Sequence, residues 1–463
     1  MVLFYTQSKL HKEIRMVRDK SFYKTMLVIS LPAALQSVIS FSKVTVDTIM
    51  VGQLGDLPLA GAAISNQVIT FLFALILGLS SGSSVLIAQY WGKRDVDTIR
   101  RVFALVFMLC IGVGLTAMTV ALLIPGSILG LMTNEQDIIQ TAIPYFTIVC
   151  LSFAMYAGSS SLVAMFRNME IVMAALWISL FTASVNVFLN WVLIFGTLGF
   201  PALGIRGAAI GTVITRSLEL MLILIYALVI QKKFLLKVKD LFKPKLNIAV
   251  DFVKHGIPIA LGDSQWAFFT VIKAAVIGHL GTVMVSSNAI AETIMSLGFV
   301  ASGSLAAGAC VVVGKAVGAG DYVKARQYSN TIQVIFAVLA VIMATSVYFL
   351  RFPIVGLFEI SDEVKLYATQ MVAIGAFTLL GTLYHASCFV GINRGGGDGR
   401  FVAKVDFVCA WIIVLPLLYL SAHVWHLSFP LVFLAARFDQ CFKWIIAFFR
   451  LRGNKWIRNV TND

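Results

Sequence analysis

Apolar residues in this chain run in long unbroken blocks separated by short polar ones. Blocks long enough to span a membrane fall near residues 25–50, 60–88, 102–124, 138–165, 171–195, 207–230, 250–279, 286–313, 332–350, 365–392, 402–422 and 428–449. A helix needs about 20 mostly apolar residues to cross the hydrocarbon core, so the pattern predicts twelve transmembrane helices. Strands of an outer-membrane barrel would alternate apolar and polar residues, which these blocks do not. Between the sixth and seventh blocks lies a basic stretch, Gln231 to Asn247, that divides the chain near its middle.

That division invites a search for duplication. A shift of 226 residues places Pro32 on Pro258, Gly52 on Gly278, Leu54-Gly55 on Leu280-Gly281, Gly82 on Gly308, Gly92 on Gly318, Asp95 on Asp321 and Arg100 on Arg326, without a gap. The matches concentrate in Gly and Pro, where backbone geometry is specified. Six spans separate equivalent points, so both halves enter the membrane from the same side. Their pseudo-two-fold axis is then expected along the membrane normal, with a substrate path between the halves. The expected organisation is a basic interfacial segment at 1–24, a six-helix bundle at 25–230, a cytoplasmic linker at 231–247, a second six-helix bundle at 248–450 and a cytoplasmic tail at 451–463.

Composition supports the membrane reading. Of 463 residues 59% are hydrophobic and only 13% charged, against about 25% charged in soluble domains. The net charge of +14 does not call for nucleic acid, because the basic residues lie between the apolar blocks. With the N-terminus inside, about 27 Lys and Arg fall on the inner segments and only Arg206, Arg351 and Lys365 outside, which predicts cytoplasmic termini. Lys9 to Lys24 sets Leu10, Ile14 and Val17 on one face amid six basic residues, as an interfacial helix does. No cleavable leader is expected, since this segment lacks an apolar core. The six cysteines show no metal-type spacing and read as small core residues.

An ionisable side chain at bilayer depth costs about 2.5–3.5 kcal/mol on insertion scales and needs a partner or a task. Arg216 with Glu219, and Asp439 with Lys443, are spaced three and four apart and can neutralise one another on one helix face. Asp406 lies near the inner edge and reads as a solvated or interfacial carboxylate. Asp47 differs: it follows Pro32 by some fifteen residues on the first span, where a proline removes a backbone hydrogen bond and lets the helix bend. Its alternative is an ion pair with Lys43, one turn earlier. The repeat places Lys273 opposite Asp47 and Glu292 opposite Asn66. Lys273 therefore either faces a cavity or is neutralised by Glu292. Two unpaired lysines, Lys43 and Lys273, would favour anionic or zwitterionic compounds.

The segment LPAALQSVISFSKVTVDTIMVGQLG, then AQYWGKRD (Ala88 to Asp95), VNVFLNWVLIFGTLGFPALGIRGAAIGT (Val185 to Thr212), VVGKAVGAGD (Val312 to Asp321), RGGGDGRF (Arg394 to Phe401) and the tail GNKWIRNVT resemble the multidrug and toxic compound extrusion (MATE) family over nearly the whole chain. The resemblance implies two six-helix bundles around a cavity that opens alternately to each side, and efflux of organic compounds driven by inward H+ or Na+, with no other cofactor. It implies that Asp47 is the coupling carboxylate and Pro32 the helix-bending proline, with Pro258 its repeat counterpart. Asn186, Asn190 and Thr212 match the polar neighbours of that aspartate. Position 190 is Asn where many members carry Asp, and position 43 is Lys where an uncharged residue is usual. The acidic residues that some members place on helices 7 and 10 have no clear match, span 7 offering Asp263 and span 10 none, so protons are favoured over Na+.

The expected partners are a small organic substrate and the lipid bilayer, the expected state a monomer in the inner (plasma) membrane. The chief alternative is a lipid or lipid-linked sugar flippase, for which Lys43 and Lys273 would suit a pyrophosphate. An intramembrane enzyme would need clustered catalytic residues at one depth, and the scattered charges argue against it. RGGGDGRF follows a helix instead of a strand and reads as a tight turn. The six histidines show no metal spacing, and no nucleotide-binding loop is present.

Overall fold

The computed structural model describes residues 16–133, 135–231, 246–356, 358 and 360–461. Lys9 to Arg15 of the expected interfacial helix, and nearly all of the expected linker, lie outside the described residues. Helices α1 (Lys20–Gly52), α2 (Asp56–Gly82), α3 (Ser84–Lys93), α4 (Val96–Leu123), α5 (Pro125–Gly130), α6 (Gln136–Cys150), α7 (Phe153–Asn168), α8 (Met173–Phe195) and α9 (Ile205–Ile225) lead to the linker. After it come α10 (Leu246–Asp251), α11 (Ile257–Gly278), α12 (Thr282–Gly318), α13 (Tyr322–Gly356), α14 (Asp362–Ala386), α15 (Gly399–Phe407), α16 (Leu415–Tyr419), α17 (Phe429–Ala435) and α18 (Lys443–Arg452). No strand occurs among the described residues.

Nine helices among the described residues are long and apolar enough to cross a membrane. The pair α6 and α7, bent by 49° at a short break, makes a tenth. The seventh and twelfth expected spans fall short for a physical reason. In α11 the apolar run is interrupted by Gly262 to Trp266 and by Lys273, and a π-helical turn, Phe252–Gly256, precedes it. Pro258 thus stands in the first turn after that π-helical segment, whereas Pro32 lies inside the continuous helix α1. The twelfth segment breaks into α17, a 3-10 turn at Phe438–Cys441, and α18, where Arg437, Asp439, Gln440 and Lys443 are all buried.

The described residues group into two compact units. One comprises 31–87 and 95–263; the other comprises 16–30, 88–94 and 264–461. The division runs through α1 between Ser30 and Leu31, one residue before Pro32. In the first unit α2 packs on α6, α4 on α7, and α8 on α9. In the second, α12 and α13 both pack on α14.

The duplication read from the sequence reappears in the backbone. Gly55 and Gly281, the residues before α2 and α12, both take positive φ, 108° and 91°. Arg94 and Gly320 do so as well, at 63° and 75°. The next residues, Asp95 and Asp321, each accept a backbone N–H three positions on, from Thr98 and Lys324, both at 3.0 Å. Most telling is a reciprocal contact within the second unit. The Cα of Gly92 presses on the carbonyl of Lys315, and Gly318 presses on that of Gln89, each too close for a side chain. Residues 89 and 92 correspond to 315 and 318 under the 226-residue shift, so each copy touches the other through the same surface, as a two-fold relation requires.

Candidate functional site

Two polar clusters occupy the apolar helices, one in each unit, and the repeat makes Asp47 and Asn66 of one equivalent to Lys273 and Glu292 of the other. In the first, α1 carries Asp47 and α8 carries Asn186 and Asn190 one turn apart, on a face that is fully buried. The Asn190 Nδ2 donates to Asp47 Oδ1 at 2.6 Å. The Asn186 Nδ2 donates to the Thr215 hydroxyl on α9 at 3.3 Å, and that hydroxyl donates back to the Gly211 carbonyl at 2.9 Å. Thr212 is half-buried beside them, its carbonyl 3.0 Å from the same hydroxyl.

This packing depends on Gly211, where a Cβ would lie 2.6 Å from the Asn190 Oδ1. The Oδ1 atoms of both Asn186 and Asn190 are buried without a hydrogen-bond partner. A buried carbonyl oxygen left unpaired is costly.

The ion pair between Lys43 and Asp47 does not form: Lys43 makes no contact under 4.0 Å with any described carboxylate. Asn66, on α2, is half-buried and accepts from the Tyr145 hydroxyl at 3.2 Å. Arg216 pairs with Glu219 at 3.0 Å, as the spacing predicts. Its guanidinium also lies 4.7 Å from the Tyr156 ring and 5.4 Å from Phe73, and those two rings stack at 3.6 Å.

In the second unit Lys273 is paired. Its Nζ lies 3.0 Å from Glu292 Oε1, and Arg437 donates to the other oxygen of Glu292 at 2.8 Å. The reading in which Lys273 stands unpaired is thereby overturned. Asp406 is likewise no solvated carboxylate. It lies 3.0 Å from the Lys443 Nζ, which also pairs with Asp439 at 2.8 Å, and Lys443 is 1% exposed. Gln440 donates to Asp439 at 2.9 Å and accepts from Thr382 at 2.9 Å, which closes the network. The sequence reading missed Thr215, Tyr145 and the role of Arg437.

Both the helical fold and the intramembrane polar clusters define a multi-pass membrane transporter. The MatE family profile matches residues 32–192 and 258–420, two stretches that begin 226 residues apart, as the internal repeat does. The chain belongs to this family, whose members are multidrug efflux transporters. A probable multidrug resistance protein NorM of Pasteurella multocida (strain Pm70) is 26% identical over 412 residues, covering 86% of each chain. Among solved structures, the eukaryotic MATE transporter AtDTX14 superposes with a TM-score of 0.81 at 22% identity, covering 95% of this chain and 97% of that one. A MATE transporter in a bent conformation gives 0.84 at 19% identity, covering 95% and 97%.

Proposed function

We propose that this chain is a secondary antiporter of twelve spans in two six-helix bundles, exporting small amphiphilic organic compounds against an inward flow of H+, or of Na+. In this reading it acts as a monomer in the inner membrane with both termini cytoplasmic. Asp47 is the coupling carboxylate. The observation that carries the reading is the Asn190 to Asp47 hydrogen bond of 2.6 Å with the unpaired Asn190 Oδ1 beside it.

An amide is the right neighbour for a group that changes charge. Toward an ionised carboxylate it offers N–H; toward a protonated one it can turn and offer its oxygen. Ion uptake therefore alters the tie between α1 and α8 without leaving a polar group stranded. Released from that tie, α1 bends at Pro32, where its backbone ladder already lacks one hydrogen bond. Lys43, without a close carboxylate partner, helps keep the empty site near neutral.

Efflux from proteoliposomes under separate H+ and Na+ gradients tests this, wild type beside Asp47→Asn. Coupled efflux is expected to vanish in the variant while the protein inserts and elutes as wild type. Transport at the wild-type rate in Asp47→Asn would remove Asp47 from the mechanism.

A further inference from the structure

The two repeats carry the same site with opposite polarity. In the first unit the equivalent positions are Asp47 and Asn66, with one negative charge; in the second they are Lys273 and Glu292, and Arg437 joins them to leave one net positive charge. Glu292 is shared between two cations, and its side chain is 33% exposed against 16% for Lys273 and 5% for Arg437. Unbalanced charge is costly against hydrocarbon, and Glu292 is the most exposed member of the triad. Arg437 lies over the Phe433 ring at 5.2 Å, and its buried Nε has no hydrogen-bond partner. The nearby charges are accounted for: Lys443, Asp406 and Asp439 form a separate triad with one net negative charge, and within it Lys443 and Asp439 are sealed from solvent.

We propose that Lys273 and Arg437 form the anion-recognition site of the transported compound, with Glu292 a built-in counter-ion that the substrate's carboxylate or other anionic group displaces. The substrate class is then anionic or zwitterionic amphiphiles. The planar guanidinium and the ammonium supply donors for a carboxylate in the place Glu292 holds. Glu292 keeps the two cations from stranding when the site is empty. The inference rests on the transport reading above but concerns binding alone.

Its test is equilibrium binding to purified full-length protein, without any gradient, followed by fluorescence. The probes are rhodamine B and its methyl ester, which share one cationic ring system and differ in whether the carboxylate is free. Wild type is expected to bind the free acid more tightly. Lys273→Gln, which leaves the Arg437–Glu292 pair intact, should weaken the acid about tenfold and spare the ester. Glu292→Gln removes the internal competitor and should tighten the acid. Opposite shifts from two substitutions in one triad are not produced by loss of structure. Equal effects on both probes, or a wild-type preference for the ester, overturn the proposal. A protein that binds the acid selectively yet moves nothing under either gradient sinks the antiport reading alone.

Discussion

At position 211 the lack of a methyl group decides where Asn190 puts its amide. A Cβ there would sit 2.6 Å from the Asn190 Oδ1, closer than any real contact, so Gly211→Ala must push the amide off Asp47 or shift α9 away from α8. Proteoliposome efflux is expected to fall at least about tenfold, with a stability loss of about 1–3 kcal/mol. Gly112→Ala is the control, since nothing lies within 4 Å of a Cβ at that glycine, and it should be neutral. Asp47 and Asn190 were legible because a carboxylate in an apolar block demands an explanation and the family motif supplies its neighbour. Thr215 was not. A threonine in a helix returns its hydroxyl to the preceding turn, as Thr215 does to Gly211, so nothing in the sequence sets it apart from other satisfied threonines. Nor could spacing reveal that Lys43 and Asp47, one turn apart, form no ion pair within 4.0 Å.

At the scale of elements, ten of the twelve expected spans have counterparts among the described residues that are long and apolar enough to cross a membrane; the seventh and twelfth, which carry the most internal charge, do not pass that test. The twelfth is the clearer case. Its sequence reads as one apolar run with a charged pair, yet the chain leaves the α-helix at Phe438–Cys441 and resumes at Lys443. Partners from other helices decide this: Asp406 reaches Lys443, and Thr382 reaches Gln440. Periodicity within one segment cannot report such contacts. Lys443 balances two carboxylates while almost fully buried, so Lys443→Met leaves both without a cation, a loss of about 3–5 kcal/mol. Thermal unfolding in detergent should show a large fall for Lys443→Met. Adding Asp406→Asn and Asp439→Asn should recover most of it, because three neutral groups replace an unbalanced triad. A single variant as stable as wild type would mean that the triad contributes nothing to the fold.

Across the whole molecule, the second unit is tied together by residues remote in sequence. Gln89, fully buried on α3, donates from Nε2 to the carbonyls of Gly395 and Arg458, both at 3.1 Å, and accepts from the Val460 N–H at 2.8 Å. Arg458 donates its own backbone N–H to Gly396 at 2.7 Å, and Trp456 is completely buried. Asp398, in the turn after α14, pairs with Arg450 at 2.7 Å and Arg458 at 3.4 Å. One side chain from the first repeat thus clasps both the RGGGDGRF turn and the tail. The turn was legible in its glycines; its embrace by the tail was not, because a lone Gln in AQYWGKRD carries no record of partners some 306 and 371 positions away. Gln89→Ala removes three hydrogen bonds at about 1 kcal/mol each, so the tail should loosen at a cost of about 2–3 kcal/mol. Limited trypsin digestion reads this directly. Lys455 is exposed while the segment around it is held, so cleavage there should accelerate in Gln89→Ala well before the protein unfolds globally. Gln89→Glu, which turns a carboxylate oxygen onto the two carbonyls the amide donates to, should loosen the tail at least as much as Gln89→Ala. If the tail is cut at the wild-type rate in both variants, the clasp does not hold it.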